Sequence, residues 1–244
     1  MESPTSTNSR QSRVQPTFRW LVTYGGSDWP QQLVNLADGL GVAPVCGPLV
    51  RLYLDPERQV PPTAQRLAWM LRNAAQLTPQ DGRLWRALNA RVADTKAVGA
   101  ALDALEVGQT AKVPKSLRLE GPTHADCLIE CESAIIWVEG KRFDWLSPSI
   151  KWDVTRDQLA RNVEAAWSLA SGAGKDFCVL ICHEGRLKHH EQLLVDGYRA
   201  KTWAGGWPHL SPAVRSQFAK RIGTLTWGHI QAVWPEICLD VERA

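Results

Sequence analysis

Two continuous apolar runs stand out along the chain, Ala134-Ile135-Ile136-Trp137-Val138 and Phe177-Cys178-Val179-Leu180-Ile181-Cys182. A strand with one wet face alternates apolar and polar residues, so runs this uniform predict strands covered on both faces. Between them Leu159, Val163, Ala166, Trp167 and Ala170 recur at helical spacing over residues 153–170, with Gly172 and Gly174 as stop signals. Upstream, Asp126 to Cys131 supplies a further strand that pairs with 134–138 across a Glu132-Ser133 turn. The order strand, strand, helix, strand predicts an antiparallel hairpin continued by a right-handed crossover into a parallel strand, hence a mixed sheet.

Weaker patterns fill in the rest. Phe18 to Tyr24 predicts a short strand ending at Gly25-Gly26, and Leu33, Leu36, Ala37 and Leu40 predict an amphipathic helix over 29–40. Five prolines make 44–62 mostly irregular, with an extended piece at 50–54. Leu67, Met70, Leu71 and Ala74 mark a helix over 62–77. Thr78-Pro79 opens a second helical region reaching residue 105. Beyond residue 187, helices are expected near 212–221 and 227–234. Residues 1–16 are rich in Ser, Thr, Gln and Arg without an apolar period, which predicts a disordered tail. The expected organisation is this tail followed by a single α/β domain over 17–244, a mixed central sheet flanked by helices with a helical C-terminal extension.

Composition adds little to this picture: 44% hydrophobic and 22% charged residues are ordinary for a soluble globular chain of 244 residues. The twelve tryptophans follow no period, so no repeat architecture is implied. A formal net charge of +3 permits a polyanionic partner without requiring one. Without a basic segment leading into an apolar one at the start, or an apolar run near twenty residues, the expectation is a soluble, cytoplasmic protein with no membrane partner. Six cysteines form no CxxC pair. The four-residue spacings Cys127/Cys131 and Cys178/Cys182 fit buried, reduced thiols on one strand face, with zinc as the alternative. "HEGRLKHHE" (183–191) does not match HExxH, and no P-loop, GxGxxG or GxSxG is present.

The chemistry concentrates at one hairpin end. Strand alternation puts Asp126, Leu128 and Glu130 on one face and Cys127, Ile129 and Cys131 on the other, while Ile135, Trp137, Glu139 and Lys141 share a face. The Glu132-Ser133 turn then sets Asp126 directly opposite Glu139, with Lys141 one step further along. Opposed carboxylates repel. Two arrangements resolve the conflict: an ion pair between Asp126 and Lys141 that leaves Glu139 exposed, or a divalent cation held between the two acids, with water and phosphate oxygens completing its shell.

Asp126, twelve residues, then Glu139-Gly140-Lys141 at the end of an apolar strand resembles the PD-(D/E)xK nuclease superfamily, the restriction-endonuclease-like fold. The resemblance spans roughly residues 106–184. The proline of the family's PD step is displaced to Pro122, and glycine occupies the x position. "RDQLARN" (156–162) resembles the Gln-bearing helix that faces the site in many members, which draws attention to Gln158, Arg161 and Asn162. The resemblance implies that Asp126 and Glu139 bind Mg²⁺, with Mn²⁺ as a substitute. It implies that Lys141 assists the attacking water and that Gln158 supports the site. An additional acidic ligand would be Glu106 or Glu120. The implied activity is metal-dependent hydrolysis of phosphodiester bonds in nucleic acid, DNA rather than RNA. Lys115, Arg118, Arg142, Arg161 and Arg186 are the expected phosphate contacts; the tryptophans are expected mostly as core or rim packing, with Trp145 and Trp152 the best candidates for stacking on bases. The alternative is a catalytically inactive protein of the same fold that binds nucleic acid or a protein partner.

Overall fold

The computed structural model describes residues 9–55, 57–141, 146–147, 149–185, 195–198 and 206–239. Among these residues the strands are β1 (Leu49–Tyr53), β2 (Arg58–Val60), β3 (Thr123–Ala125), β4 (Cys127–Cys131), β5 (Ala134–Gly140), β6 (Asp176–His183) and β7 (Ile222–Thr226). A mixed five-stranded sheet runs in the order β1-β4-β5-β6-β7, and β2 pairs separately with β3. The β4–β5 hairpin has the register that a Glu132-Ser133 turn dictates, Cys127 opposite Val138 and Glu130 opposite Ile135. Strand β5 then runs parallel to β6, setting Gly140 beside Cys182, and β6 runs parallel to β7. All seven residues of β5 are buried, as its continuous apolar run requires.

Helices cover both faces. The main ones are α1 (Gln15–Tyr24), α2 (Trp29–Asn35), α3 (Ala64–Arg72), α4 (Gly82–Val92), α5 (Thr95–Glu106), α6 (Gln158–Ala173), α7 (Pro212–Ala219) and α8 (Trp227–Val233). Period-two alternation divides the core. Cys127, Ile129, Ile136, Val138, Cys178 and Leu180 meet Phe18 and Leu21 of α1, Trp29 and Leu33 of α2, and Trp227 and Ile230 of α8. On the opposite face Leu128, Ile135, Trp137, Val179 and Ile181 meet Leu159, Val163 and Ala166 of α6 and Phe218 of α7. Helix α6 is pinned at both ends: Asp157 accepts from the Ala160 N–H at 2.8 Å, and Gly174 closes it with φ of +66°. A third cluster, built from α3, α4 and α5, packs Leu67, Met70, Leu88 and Leu105 around Trp152.

Several expectations are corrected. The segment 18–24 is helical, not extended: Val14, Phe18 and Leu21 recur at helical spacing against the sheet, and Pro16 sits in the first turn of α1. Residues 9–16, expected within a disordered tail, are helical as well, with a π-helical turn over Arg10–Val14. Their polarity is met by specific partners, Ser9 on the Gly140 carbonyl at 2.8 Å and Arg10 on the Leu54 carbonyl at 2.7 Å. The helix expected over 29–40 ends at Asn35, because Asp38 leaves it to bridge Thr224 of β7. The region 79–105 divides into α4 and α5, since Asp94 caps a new start by accepting from Ala97 N–H. The C-terminal extension is not purely helical, because β7 joins the sheet. Among the described residues no helix is long and apolar enough to cross a membrane.

Candidate active site

The hairpin register carries Asp126, just ahead of β4, to the C-terminal end of β5. There Asp126 Oδ2 accepts the Gly140 N–H at 2.9 Å. Glu139 is buried on the same strand end and fully engaged: Lys141 Nζ lies 3.0 Å from its Oε1, Gln158 Nε2 donates to Oε1 at 2.6 Å, and Asn162 Nδ2 donates to Oε2 at 2.9 Å. Asn162 in turn accepts from Thr123 Oγ1 at 2.9 Å, and Gln158 accepts from the Ser147 N–H at 2.9 Å. Gln158 and Asn162 stand one turn apart on α6, so one helix face fixes both oxygens of Glu139. Asp126, Glu139, Lys141 and Gln158 are thus brought together.

The ion pair at this sheet end differs from the one considered from the residues alone. Lys141 pairs with Glu139, and Glu139 is buried, with a side chain only 4% exposed. Asp126 is consequently left with an unfavourable environment. Burial pushes its carboxyl up, the charge of Glu139 pushes the same way, and the Gly140 N–H and Lys141 only partly oppose them, so it titrates at about 8. Glu57 adds a smaller upward push. Glu57 itself is held by Arg10 at 3.0 Å and by His124 Nδ1 at 3.1 Å.

Gly140 has a packing reason to be glycine. A Cβ there would overlap Val14 Cγ2 and come within 3.4 Å of the Trp227 ring and 3.7 Å of Asp126 Oδ2. Trp227 also donates its indole N–H to the Lys141 carbonyl at 3.3 Å, and the Lys141 N–H donates to the Cys182 carbonyl at 2.7 Å. The x position of E-x-K is therefore where the N-terminal helical segment and α8 close on the sheet.

Other expected residues lie elsewhere. Glu106 makes a surface pair with Arg72 at 2.6 Å. Glu120 is buried between Arg66 at 3.1 Å and Arg156 at 2.9 Å. Burial alone would raise its carboxyl, but the two guanidiniums more than offset that and lower it. Neither acid joins Asp126 and Glu139, because each is spent on arginine. Arg118 donates to the Val113 and Ala111 carbonyls, and Arg161 donates to the Gly121 and Pro122 carbonyls, so both hold loops. Lys115 is exposed beside Arg118 on the wall of an open cavity of about 600 Å³. Trp152 is buried, with the Arg91 guanidinium 4.8 Å and the Lys151 ammonium 5.0 Å from its ring, which leaves no stacking platform. Arg142, Arg186 and Trp145 lie outside the described residues.

Cys46, Cys127, Cys131, Cys178 and Cys182 are free and buried in one core. Burial holds the Cys127, Cys178 and Cys182 thiols well above their ordinary range, as apolar packing demands. Among the described residues no group of three His, Cys, Asp or Glu is placed to hold a metal ion. What the site offers is two carboxylates, Asp126 and Glu139, both hard oxygen donors. Sequence reasoning missed Glu57, Arg10 and Thr123 around this site; no local motif marks them. No family model, no curated protein and no solved structure matches the chain.

Proposed function

We propose that the chain is a metal-dependent phosphodiesterase acting on nucleic acid, DNA rather than RNA, with a restriction-endonuclease-like core. The observation that carries the reading is the Asp126 carboxyl raised to about 8 beside a buried Glu139 already paired with Lys141. Two acids crowded together with one ammonium between them have an unmet need for positive charge. That donor set fits Mg²⁺, with Mn²⁺ as a substitute, held by Asp126 and Glu139. When bound, such a cation supplies Lewis acidity and a more acidic water. The chain's own groups do the rest. Gln158 and Asn162 fix the Glu139 carboxylate, and Lys141 orients an attacking water and balances charge developing on phosphorus.

The test is cleavage of supercoiled plasmid and of a labelled single strand in Mg²⁺, Mn²⁺ or EDTA, by wild type, Asp126→Ala and Lys141→Ala. The proposal expects metal-dependent cutting that each substitution lowers by about 100-fold or more. Equal cutting by the variants, or none by wild type, overturns it. A second reading, a catalytically silent relative, is favoured by one observation: both Glu139 oxygens are already satisfied by protein donors. It expects no cutting, together with salt-sensitive nucleic-acid binding in EDTA that Lys141→Ala leaves unchanged.

A further inference from the structure

Helices α1 and α8 both begin near the carboxylate site, where Val14 and Trp227 close on Gly140, and both run away from it. At the far end, about 15 Å along α1, they frame an open pocket of about 620 Å³ lined by Trp20, Tyr24, Gln32, Trp234 and Glu236. The floor is bare because α1 ends in two glycines. A side chain on Gly25 would meet the Leu21 carbonyl oxygen at 2.6 Å, and Gly26 adopts φ of +81°.

The lining has one kind of chemistry. Trp20 and Tyr24, one helical turn apart, hold their ring centroids 5.5 Å apart at a tilt of 46°, which makes a corner and not a stack. Trp234, itself buried, supplies a third ring. Tyr24 is 70% exposed, an unusual cost for a ring with nothing described against its outer face. Glu236 is exposed and has no ion-pair partner among the described residues. Ring faces carry negative quadrupole density, and Glu236 adds a full negative charge to the same lining. Phosphate is repelled by such a site. A compact ammonium such as that of lysine is strongly hydrated and gains less from ring faces, whereas an alkylated ammonium carries its charge on apolar methyl groups that suit them.

We propose that this pocket binds an organic cation of the alkylated ammonium class, through Trp20, Tyr24 and Trp234 with Glu236 as counter-charge. The site is separate from the carboxylate cluster and stands on different residues.

The test is calorimetric titration of the full chain with choline and with its neutral isostere 3,3-dimethylbutan-1-ol, repeated with Tyr24→Ala and Glu236→Gln. Both substitutions fall on exposed side chains, and unchanged thermal melting checks that the variants fold. Expected is saturable choline binding about tenfold or more tighter than the isostere, weakened about fivefold or more in each variant. A trimethyllysine peptide titrated alongside distinguishes a modified protein side chain from a small molecule as the source of the group. Equal affinity for the charged and neutral ligands, choline and trimethyllysine both failing to bind, or variants that bind as wild type does would overturn the proposal.

Discussion

Replacing Asp126 by Asn tests the electrostatics of the site without removing its scaffold. An asparagine oxygen still accepts the Gly140 N–H that Asp126 Oδ2 takes at 2.9 Å, but it carries no charge and no titration. The wild-type carboxyl lies at about 8 in the folded chain against 3.8 for the free group, so the folded state binds this proton more tightly than the unfolded state. The sign follows: the group's favourable contribution is complete below about pH 4 and is lost as pH rises through about 8. Each pH unit in that window costs up to about 1.4 kcal/mol. Between pH 5 and pH 9 the limit is about 4 kcal/mol, and partial exposure of the side chain lowers the expectation to roughly 2–4 kcal/mol. Urea unfolding in the absence of divalent cations should show the variant gaining that much on wild type as pH rises from 5 to 9. Parallel stability curves for the two proteins would refute the reasoning, because Asp126 would then ionise as an ordinary surface carboxyl.

Two further substitutions address the packing and the charge pairing behind the site. Gly140→Ala should destabilise the fold by about 1–3 kcal/mol through overlap with Val14; a double-mutant cycle with Val14→Ala should recover part of that loss, and strict additivity would contradict the contact. Glu120→Gln removes the charge shared by Arg66 and Arg156, but Asp153 still pairs with Arg66 and Glu164 with Arg156, each at 2.9 Å, so the loss should be about 1–3 kcal/mol by denaturant unfolding. A loss below about 1 kcal/mol would show that water reaches this cluster.

The hairpin was legible because its information is local: a two-residue turn and period-two alternation fix which side chains face which, and Asp126 reaches the end of β5 where Glu139 and Lys141 project. The helix bearing Gln158 and Asn162 was legible from its apolar spacing and its glycine stop. The partner of Lys141 was not, because alternation gives a face and not which of two acids on it wins an ammonium. Residues 9–16 were misread because their burial is polar. Ser9, Arg10 and Arg13 are held by a carbonyl, a carbonyl and Glu184, partners at least 44 positions away that leave no apolar period. Strand β7, Ile-Gly-Thr-Leu-Thr, is short and half polar, and it earns its place only by pairing with β6. The loop contacts of Arg118 and Arg161 were not legible, because a sequence does not reveal which backbone carbonyls a guanidinium will meet.

The central claim is that Asp126 and Glu139 together hold a divalent cation, and calorimetric titration with Mg²⁺ and Mn²⁺ in two buffers of different ionisation enthalpy tests it most directly. Because Asp126 is largely protonated at pH 7 when its carboxyl lies at about 8, binding of one cation per chain should release roughly 0.9 proton. Asp126→Asn should abolish both the binding and the proton release. No binding at millimolar cation, or binding that Asp126→Asn leaves intact, would contradict the account and leave the buried Glu139–Lys141 pair as a structural feature of the sheet end.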